Sequence, residues 1–323
     1  MADQARRDQL RATKLVTLIH GRWSKTDPTV APFALGAAAT CDGVGWVLLE
    51  ERPAAGLGPA LAWAIRAGVG RRLHVLAEAG TGTIARRAPE FGLPIEVWHV
   101  AARTLLPAIA EPLAAVVDPP LEHERFRQLI SDGGATPIVE HGTLLGEVRG
   151  LEVCRVVTDA STGTTRLEVG IGQHDRQAFQ LLHGDVPTAA ALASVVERVA
   201  PHRRPGADPH PLNRLGQEQA LRARLIEEPE LIGAKRVAAA ASPIPRSNLK
   251  DRQPSVAVAE LDDRLETLVI SSGGDLDLVP FATDARLHSG RPTRLVLPRR
   301  DVVPVQMEIV GLLREPMAIV PVD

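Results

Sequence analysis

Residues 254–271 read PSVAVAELDDRLETLVIS, and this stretch decides the fold because it opens a pattern of elements that occurs twice in the chain. Apolar residues alternate on both sides of an acidic turn at 262–264, which predicts a β-hairpin. Residues 278–287 carry a proline near their start and predict a helix. The pattern ends with a strand at 294–297, a helix at 303–313 and a strand at 317–320.

The same order of elements occurs near the amino terminus at a nearly constant offset. It consists of strands at 34–40 and 44–49 around a turn at 41–43, a helix at 57–66, a strand at 73–76, a helix at 81–91 and a strand at 95–98. Strands that alternate with helices predict a parallel sheet with right-handed crossovers. We therefore predict an α/β protein in which two hairpin-α-β-α-β modules flank a central α+β meander and helical region. A pseudo-twofold axis between the modules is one arrangement of this repeat.

The sequence divides at changes in composition and pattern. The predicted segments are an N-terminal arm (1–30), a first α/β module (31–118), a central α+β region (119–200), a Pro/Arg-rich loop with a helix and a linker (201–253), and a second α/β module (254–323). The arm is expected to be a solvated charged helix followed by a strand-like apolar run at 15–19.

The region between the modules predicts a small antiparallel meander with helices on either side. Its predicted elements are a helix at 122–130, strands at 137–140, 145–157 and 165–171, and helices at 175–182, 188–199 and 212–226. Residues 238–254 contain Pro243, Pro245 and Pro254 and predict an extended linker.

Composition limits the class of protein more than its function. The chain has 323 residues, of which 45% are hydrophobic and 24% charged, as in an ordinary globular protein. A net charge of −2, an aromatic content of 3% and the absence of tyrosine argue against a general nucleic-acid coat protein. Cys41 and Cys154 are too far apart for a zinc spacing, and the amino terminus does not resemble a secretory signal. We expect a cytoplasmic protein without a membrane span or a metal.

A glycine turn gives the first candidate site. Gly80 and Gly82 follow the predicted strand at 73–76 and open a helix, where backbone N–H groups could meet a pyrophosphate. No acidic residue closes the next strand, and the second module has no glycine at the equivalent turn. A plain flexible turn is the alternative, and the sequence predicts no cofactor.

Acidic residues of the meander form the second candidate. They are Glu140 beside His141, Glu147, Glu152, Glu168, and His174 followed by Asp175. A helix, three strands with acids and a further helix resemble a restriction-endonuclease-like core over about residues 122–182, which implies metal-dependent chemistry on nucleic acid. That core needs a lysine after the second acid, and none of these strands carries one. We predict that metal-dependent cleavage is absent, with cross-strand Arg–Glu pairs on a solvated face as the alternative.

An arginine-rich loop gives the third candidate, an anion site. Its residues are Arg203, Arg204, His210, Asn213 and Arg214. Prolines restrict this loop, and Asn213 is a good N-cap whose helix would add free N–H groups. In the alternative interpretation, Arg214, Glu218 and Arg222 stabilise an ordinary exposed helix through their spacing of four residues.

Three stretches, residues 166–179, 202–224 and 274–286, resemble a group of uncharacterised proteins from high-GC actinobacteria. The resemblance implies a cytoplasmic bacterial protein and no particular activity. GxSxG, P-loop, HExxH and paired CxxC motifs are absent from the sequence.

Three functions therefore stay open, and whether the protein is an enzyme stays open with them. We rank first a nucleic-acid-associated protein with a catalytically degenerate nuclease-like core. The alternatives are a small-molecule or nucleotide-binding α/β protein or enzyme, and a structural or partner-binding protein. The expected partners are a nucleic acid or another anionic ligand, with a homo-oligomer as a further option and no membrane.

Overall fold

The structure is a computed structural model that describes residues 2–24, 26–183, 189–245, 253–262 and 264–323. Asp263 of the predicted turn and residues 246–252 of the predicted linker lie outside these ranges. The helices are α1 (Ala2–Arg22), α2 (Leu57–Arg66), α3 (Thr81–Arg87), α4 (Leu121–Glu124), α5 (Arg127–Asp132), α6 (Gly172–His183), α7 (Ala189–Arg203), α8 (Gln217–Glu227), α9 (Leu278–Ser289) and α10 (Pro304–Gly311).

Strands interleave with these helices, which confirms the predicted α/β class. The strands are β1 (Thr29–Ala31), β2 (Gly36–Cys41), β3 (Val44–Leu49), β4 (Arg72–Ala77), β5 (Ile95–Ala101), β6 (Thr104–Pro107), β7 (Thr136–Glu140), β8 (Thr143–Val148), β9 (Leu151–Thr158), β10 (Thr165–Val169), β11 (Arg236–Ala240), β12 (Ser255–Leu261), β13 (Arg264–Ile270), β14 (Thr293–Pro298) and β15 (Ala318–Val322). None of the helices in the described ranges is long and apolar enough to cross a membrane.

The strands form three sheets. Their orders are β1-β2-β3-β4-β5-β6, β10-β9-β8-β7 and β11-β12-β13-β14-β15. In the first sheet β2 and β3 are antiparallel and β3 and β4 are parallel. In the last sheet β12 and β13 are antiparallel and β13 and β14 are parallel. The first and last sheets thus each contain a hairpin followed by a parallel strand, while the pseudo-twofold axis stays a prediction.

The chain forms two compact units. Unit 1 comprises Met1–Leu113, Gly274–Asp284 and Val302–Ile319, and unit 2 comprises Ala114–Gly273, Ala285–Asp301 and Val320–Asp323.

In unit 1 the N-terminal arm is one long helix, so the predicted strand at 15–19 is wrong. Leu15, Leu18 and Ile19 are buried in the core on one face of the first sheet, so the helix is not solvated on all sides as expected. Their spacing of three and four residues is that of a helix face. β-Branched residues in this run favour a strand locally, but packing against the sheet overrides that preference.

An aromatic cluster completes this core next to the end of α1. Trp46, His74 and Trp98 come from the adjacent strands β3, β4 and β5, and Trp23 packs on them from the chain that follows α1. Trp98 Nε1 donates to His74 Nδ1 at 3.1 Å, so the proton of the neutral imidazole is on Nε2. Burial lowers the pKa of His74 to about 4, and the charge of Arg72 adds to this effect.

Neutral His74 predicts a loss of stability in mild acid. Glu96 lies 3.3 Å from Nδ1, but it is partly exposed and shared with Arg72, so it does not offset the burial of the ring. As the pH falls below 6.5 the unfolded chain binds a proton that folded His74 takes up only near pH 4. We expect this group to cost about 2 kcal/mol of stability between pH 8 and pH 5.

Urea unfolding followed by tryptophan fluorescence tests this expectation. All four tryptophans lie in the Met1–Leu113 part of unit 1, so their emission reports on that unit. His74→Gln keeps an acceptor for Trp98 and should lose this part of the pH dependence, whereas the exposed His20→Gln should retain it. Equal pH dependence in wild type and His74→Gln would contradict the assignment.

In unit 2 the antiparallel meander β7–β10 packs with α5 and α7 around one core. The predicted single strand at 145–157 is wrong, since β8 and β9 form a hairpin whose turn has Arg149 (φ 44°) and Gly150 (φ 79°). The helix predicted at 122–130 is divided into α4 and α5. The predicted linker starts too early, because residues up to Ala240 belong to β11, which pairs with β12.

Candidate functional site

The predicted acidic residues of the meander are held by arginines. Glu147 binds the guanidinium of Arg222 at 2.9 Å. Glu152 accepts from Arg155 at 2.6 Å and from Arg176 at 3.0 Å. The expected solvated face is wrong for Glu147, which is only 5% exposed, and Glu152 is also buried.

Glu140 shares Arg222 with Glu147, at 2.7 Å, and the remaining members of the acidic set have contacts of their own. Glu168 pairs at 2.9 Å with Arg166 of its own strand, so this is not one of the expected cross-strand pairs. The Asp175 carboxylate accepts from the Ile171 backbone N–H at 2.7 Å and so caps the start of α6, and His174 is exposed. Among the described residues, no group of three or more histidine, cysteine or acidic side chains is arranged to hold a metal ion.

The predicted anion site is corrected by the position of Arg203. This side chain is 8% exposed at the end of α7, and its guanidinium donates to backbone carbonyls. The acceptors are the carbonyls of Arg149, Leu212, Leu215 and Gly216, at 2.8–3.3 Å. Because Arg203 is used to close the loop onto the meander, it is a structural residue.

The other predicted anion-site residues do not converge at a helix start. Asn213 is not an N-cap, because it lies in a short 3-10 helix, Pro211–Arg214, and α8 begins only after Gly216 (φ 55°). The His210 ring stacks on His202 at 3.7 Å and accepts from the Leu212 N–H. Arg204 and Arg214 are exposed.

The expected exposed helix with Arg214, Glu218 and Arg222 is also wrong. Glu218 is buried and accepts from the Ser272 hydroxyl at 2.7 Å, and Arg222 is buried against the meander. Neither side chain is therefore available to its neighbour on the helix surface.

The glycine turn is filled by the protein itself. A Cβ on Gly82 would lie 2.3 Å from the Glu111 side chain, and the Glu111 N–H donates to the Gly82 carbonyl at 3.1 Å. A Cβ on Gly80 (φ 65°) would lie 2.8 Å from the Ala54 backbone. The glycines are explained by these close approaches, and a carboxylate at the start of α3 disfavours a pyrophosphate there.

A cavity of about 390 Å³ in unit 2 is the site that sequence reasoning missed. Its walls are mainly small and apolar, and four polar side chains face it. The lining consists of residues 114–118 before α4, residues 137–139 of β7, residues 239–242 at the end of β11, His141 and His288. The polar members are Asp118, His141, Ser242 and His288. These residues are far apart in sequence, so no local motif could have indicated the cavity.

His141 is the member with an unusual conformation. With Gly142 it forms the turn between β7 and β8, where both φ angles are positive (47° and 72°). Two consecutive positive φ values define a type I′ turn, for which Asn-Gly is the preferred pair. The turn therefore carries an imidazole where an asparagine would fold better, which is the kind of local departure found at functional positions.

The ring of His141 is neutral and has an unsatisfied nitrogen. Burial lowers the pKa of His141 below its usual value, and the charge of Glu140 and the Ile244 backbone offset this only in part. The ring is thus neutral near pH 7, and we assign its proton to Nδ1 because the interaction with the Ile244 backbone that raises the pKa requires a donor. Nε2 is buried and has no hydrogen-bond partner in the described part of the chain. It presents an unsatisfied acceptor beside the cavity.

Comparison with known proteins adds no precedent for this arrangement. No protein-family model, no curated protein and no solved structure matches the chain.

Proposed function

We propose that the protein binds a small, uncharged, largely apolar molecule in the unit 2 cavity, with a hydroxyl or amine hydrogen donated to His141 Nε2. A volume of about 390 Å³ lies within the range of small-molecule sites, which combine apolar walls with a few placed polar groups. The alanine, valine and isoleucine side chains of this lining supply such walls.

One observation carries the proposal, namely the buried Nε2 of His141 without a partner. A buried acceptor left unsatisfied costs roughly 1–3 kcal/mol, so a ligand that donates to it recovers a substantial free energy. The left-handed backbone at residue 141 is a second cost that Asn-Gly would reduce. Two costs at one cavity-lining residue favour a binding role over a purely structural one.

The charge of the lining argues against an anionic ligand. Among the described residues no arginine or lysine lines this cavity, Asp118 adds a carboxylate, and burial keeps the imidazole of His141 neutral by lowering its pKa. An anion would lack a counter-charge in this site. The nuclease-like alternative draws no support from the meander, whose buried acids already bind arginines.

Nitrogen-15 NMR of the histidine side chains tests the proposal. We expect cyclohexanol to shift the His141 Nε2 resonance saturably, because its hydroxyl can donate to the free lone pair. Cyclohexyl methyl ether has the same ring without a donor, and it should leave this resonance in place. His141→Asn should bind cyclohexanol on the order of tenfold more weakly while folding at least as stably, because Asn-Gly suits the turn.

Matched alanine substitutions on β11 provide the control. Ala240→Leu projects into the cavity and should block the cyclohexanol response, whereas Ala238→Leu on the same strand is exposed and should not. The proposal fails if cyclohexanol leaves Nε2 unchanged, or if Ala240→Leu and Ala238→Leu respond alike.

A further inference from the structure

Unit 1 holds a second concave site, whose walls are aromatic. The chain has only four tryptophans and no tyrosine, yet three of the tryptophans surround His74. Trp46 lies stacked on His74 with ring centres 5.5 Å apart, and Trp23 lies 4.5 Å from the same imidazole. A cavity of about 350 Å³ opens beside these three rings, which is enough for one planar ring system with a substituent.

The walls also contain a hydrogen-bond donor without an acceptor. Trp46 is 3% exposed, and its Nε1–H is buried without a hydrogen-bond partner among the residues described. Because His74 Nδ1 accepts from Trp98, its Nε2 carries the proton. A buried indole N–H normally finds a partner, so its absence indicates an acceptor that the chain does not supply.

A guanidinium with spare donors lies at the rim. Arg71 is exposed and donates to the Asp42 carbonyl at 3.2 Å, and no carboxylate in the described ranges pairs with it. Its neighbour Arg72 is paired with Glu96 at 2.9 Å. Arginine recognises phosphates and carboxylates through its planar fork of donors. Two arginines at one rim disfavour a cationic ligand, although aromatic walls alone would suit one.

We propose that this pocket binds a planar aromatic compound that carries an anionic group. The ring lies beside Trp23, Trp46 and His74, where contact with the aromatic side chains favours a planar ring and an acceptor on that ring meets the Trp46 Nε1–H. The phosphate or carboxylate lies on Arg71. This site is separate from the unit 2 cavity in both residues and ligand class.

Tryptophan fluorescence titration of the full chain tests the proposal, because three of the four tryptophans belong to the cluster. Adenosine 5′-monophosphate and nicotinate are the two probes, one with a phosphate and one with a carboxylate. At least one of them should quench the emission saturably. Adenosine, which lacks the anion, and ribose 5-phosphate, which lacks the ring, should bind on the order of tenfold more weakly or not at all.

Exposed arginines supply the matched variants. Arg71→Met should weaken the responsive probe by about tenfold without changing the unfolding midpoint, whereas Arg66→Met, at the end of α2, should bind like wild type. His141→Asn should also bind like wild type, which separates this test from that of the unit 2 cavity. The proposal is overturned if neither probe quenches at millimolar concentration, or if Arg71→Met and wild type bind alike.

Discussion

Replacing Arg87 by methionine is expected to destabilise unit 1 by about 3–5 kcal/mol, because the change leaves two buried carboxylates without their shared cation. Arg87 is 1% exposed on α3. Its Nε donates to Asp284 and its Nη1 donates to Asp277, both at 2.7 Å. Asp284 is fully buried, and Asp277 is 7% exposed.

After Arg87 is replaced, the two aspartates keep different hydrogen-bond donors. Asp284 keeps Arg86, whose Nε donates to it at 2.8 Å. Among the described residues, Asp277 keeps only the Gly58 backbone N–H as a donor to its carboxylate, at 3.1 Å. Burial already raises the pKa of Asp277 to about 6 despite the presence of Arg87. Asp277 therefore carries most of the expected cost.

The pH dependence of the Arg87→Met effect follows from this pKa. Without Arg87 the pKa of Asp277 rises further above its unfolded value of 3.8. A raised carboxyl pKa favours folding below the unfolded pKa and costs stability as the pH rises through the folded pKa. The difference between wild type and Arg87→Met should thus be larger at pH 8 than at pH 5, as followed by urea unfolding with tryptophan fluorescence.

Two controls separate charge from packing in this test. Arg86→Met leaves Asp284 paired with Arg87, so it should destabilise unit 1 by about half as much as Arg87→Met or less. Asp277→Asn added to Arg87→Met removes the buried charge and should recover part of the loss. If Arg87→Met unfolds like wild type at pH 8, the ion pairs are not what stabilises this part of unit 1.

Periodic elements of this fold are readable from the sequence. Helix α2 begins and ends at the predicted residues, 57 and 66, and Asp42-Gly43 marks the turn between β2 and β3. Asp-Gly is a strong type I′ signal, and the apolar runs on both sides have the strand period. Arg149-Gly150 makes a turn with the same signs of φ, but arginine carries no turn signal and the flanking runs are both apolar. The hairpin was therefore predicted as one strand.

Contacts between residues distant in sequence explain why the predictions about the candidate site residues were wrong. Arg203 lies in a proline-rich, arginine-rich loop, which locally resembles an anion site. Only the folded chain shows that the carbonyls of Arg149 and Leu215 turn toward its guanidinium. In the same way, the sequence places His141 beside the acids of the meander. Only the tertiary structure brings the Ile244 backbone near its ring and forms the cavity that it lines.

Arg222→Met is expected to destabilise unit 2 by about 3–5 kcal/mol, because Arg222 fixes two acids that sequence reasoning assigned elsewhere. Arg222 is 1% exposed on α8, and it donates to Glu140 at 2.7 Å and to Glu147 at 2.9 Å. Glu140 directly precedes the His141-Gly142 turn. The loss of Arg222 should therefore open the meander and loosen the cavity at the same time.

Cys154 provides the measurement for unit 2. It is a free thiol, fully buried in the core of the meander, and burial raises its pKa to about 12. It can react with iodoacetamide only when the meander opens, so its labelling rate reports the free energy of opening. A loss of 3–5 kcal/mol corresponds to labelling faster by roughly 10²–10⁴-fold. Labelling of Cys41, which is partly exposed in unit 1, is the internal reference.

A surface ion pair and a double variant serve as controls for Arg222→Met. Arg127 pairs with Glu124 at 2.6 Å, but both side chains are about 40% exposed, so Arg127→Met should change Cys154 labelling by only a few-fold. Adding Glu147→Leu to Arg222→Met removes the buried acid and should slow labelling again, since an apolar pair can replace a buried ion pair. If Arg222→Met labels no faster than Arg127→Met, the buried arginine does not hold the meander closed. The fixed orientation of His141 would then need another cause.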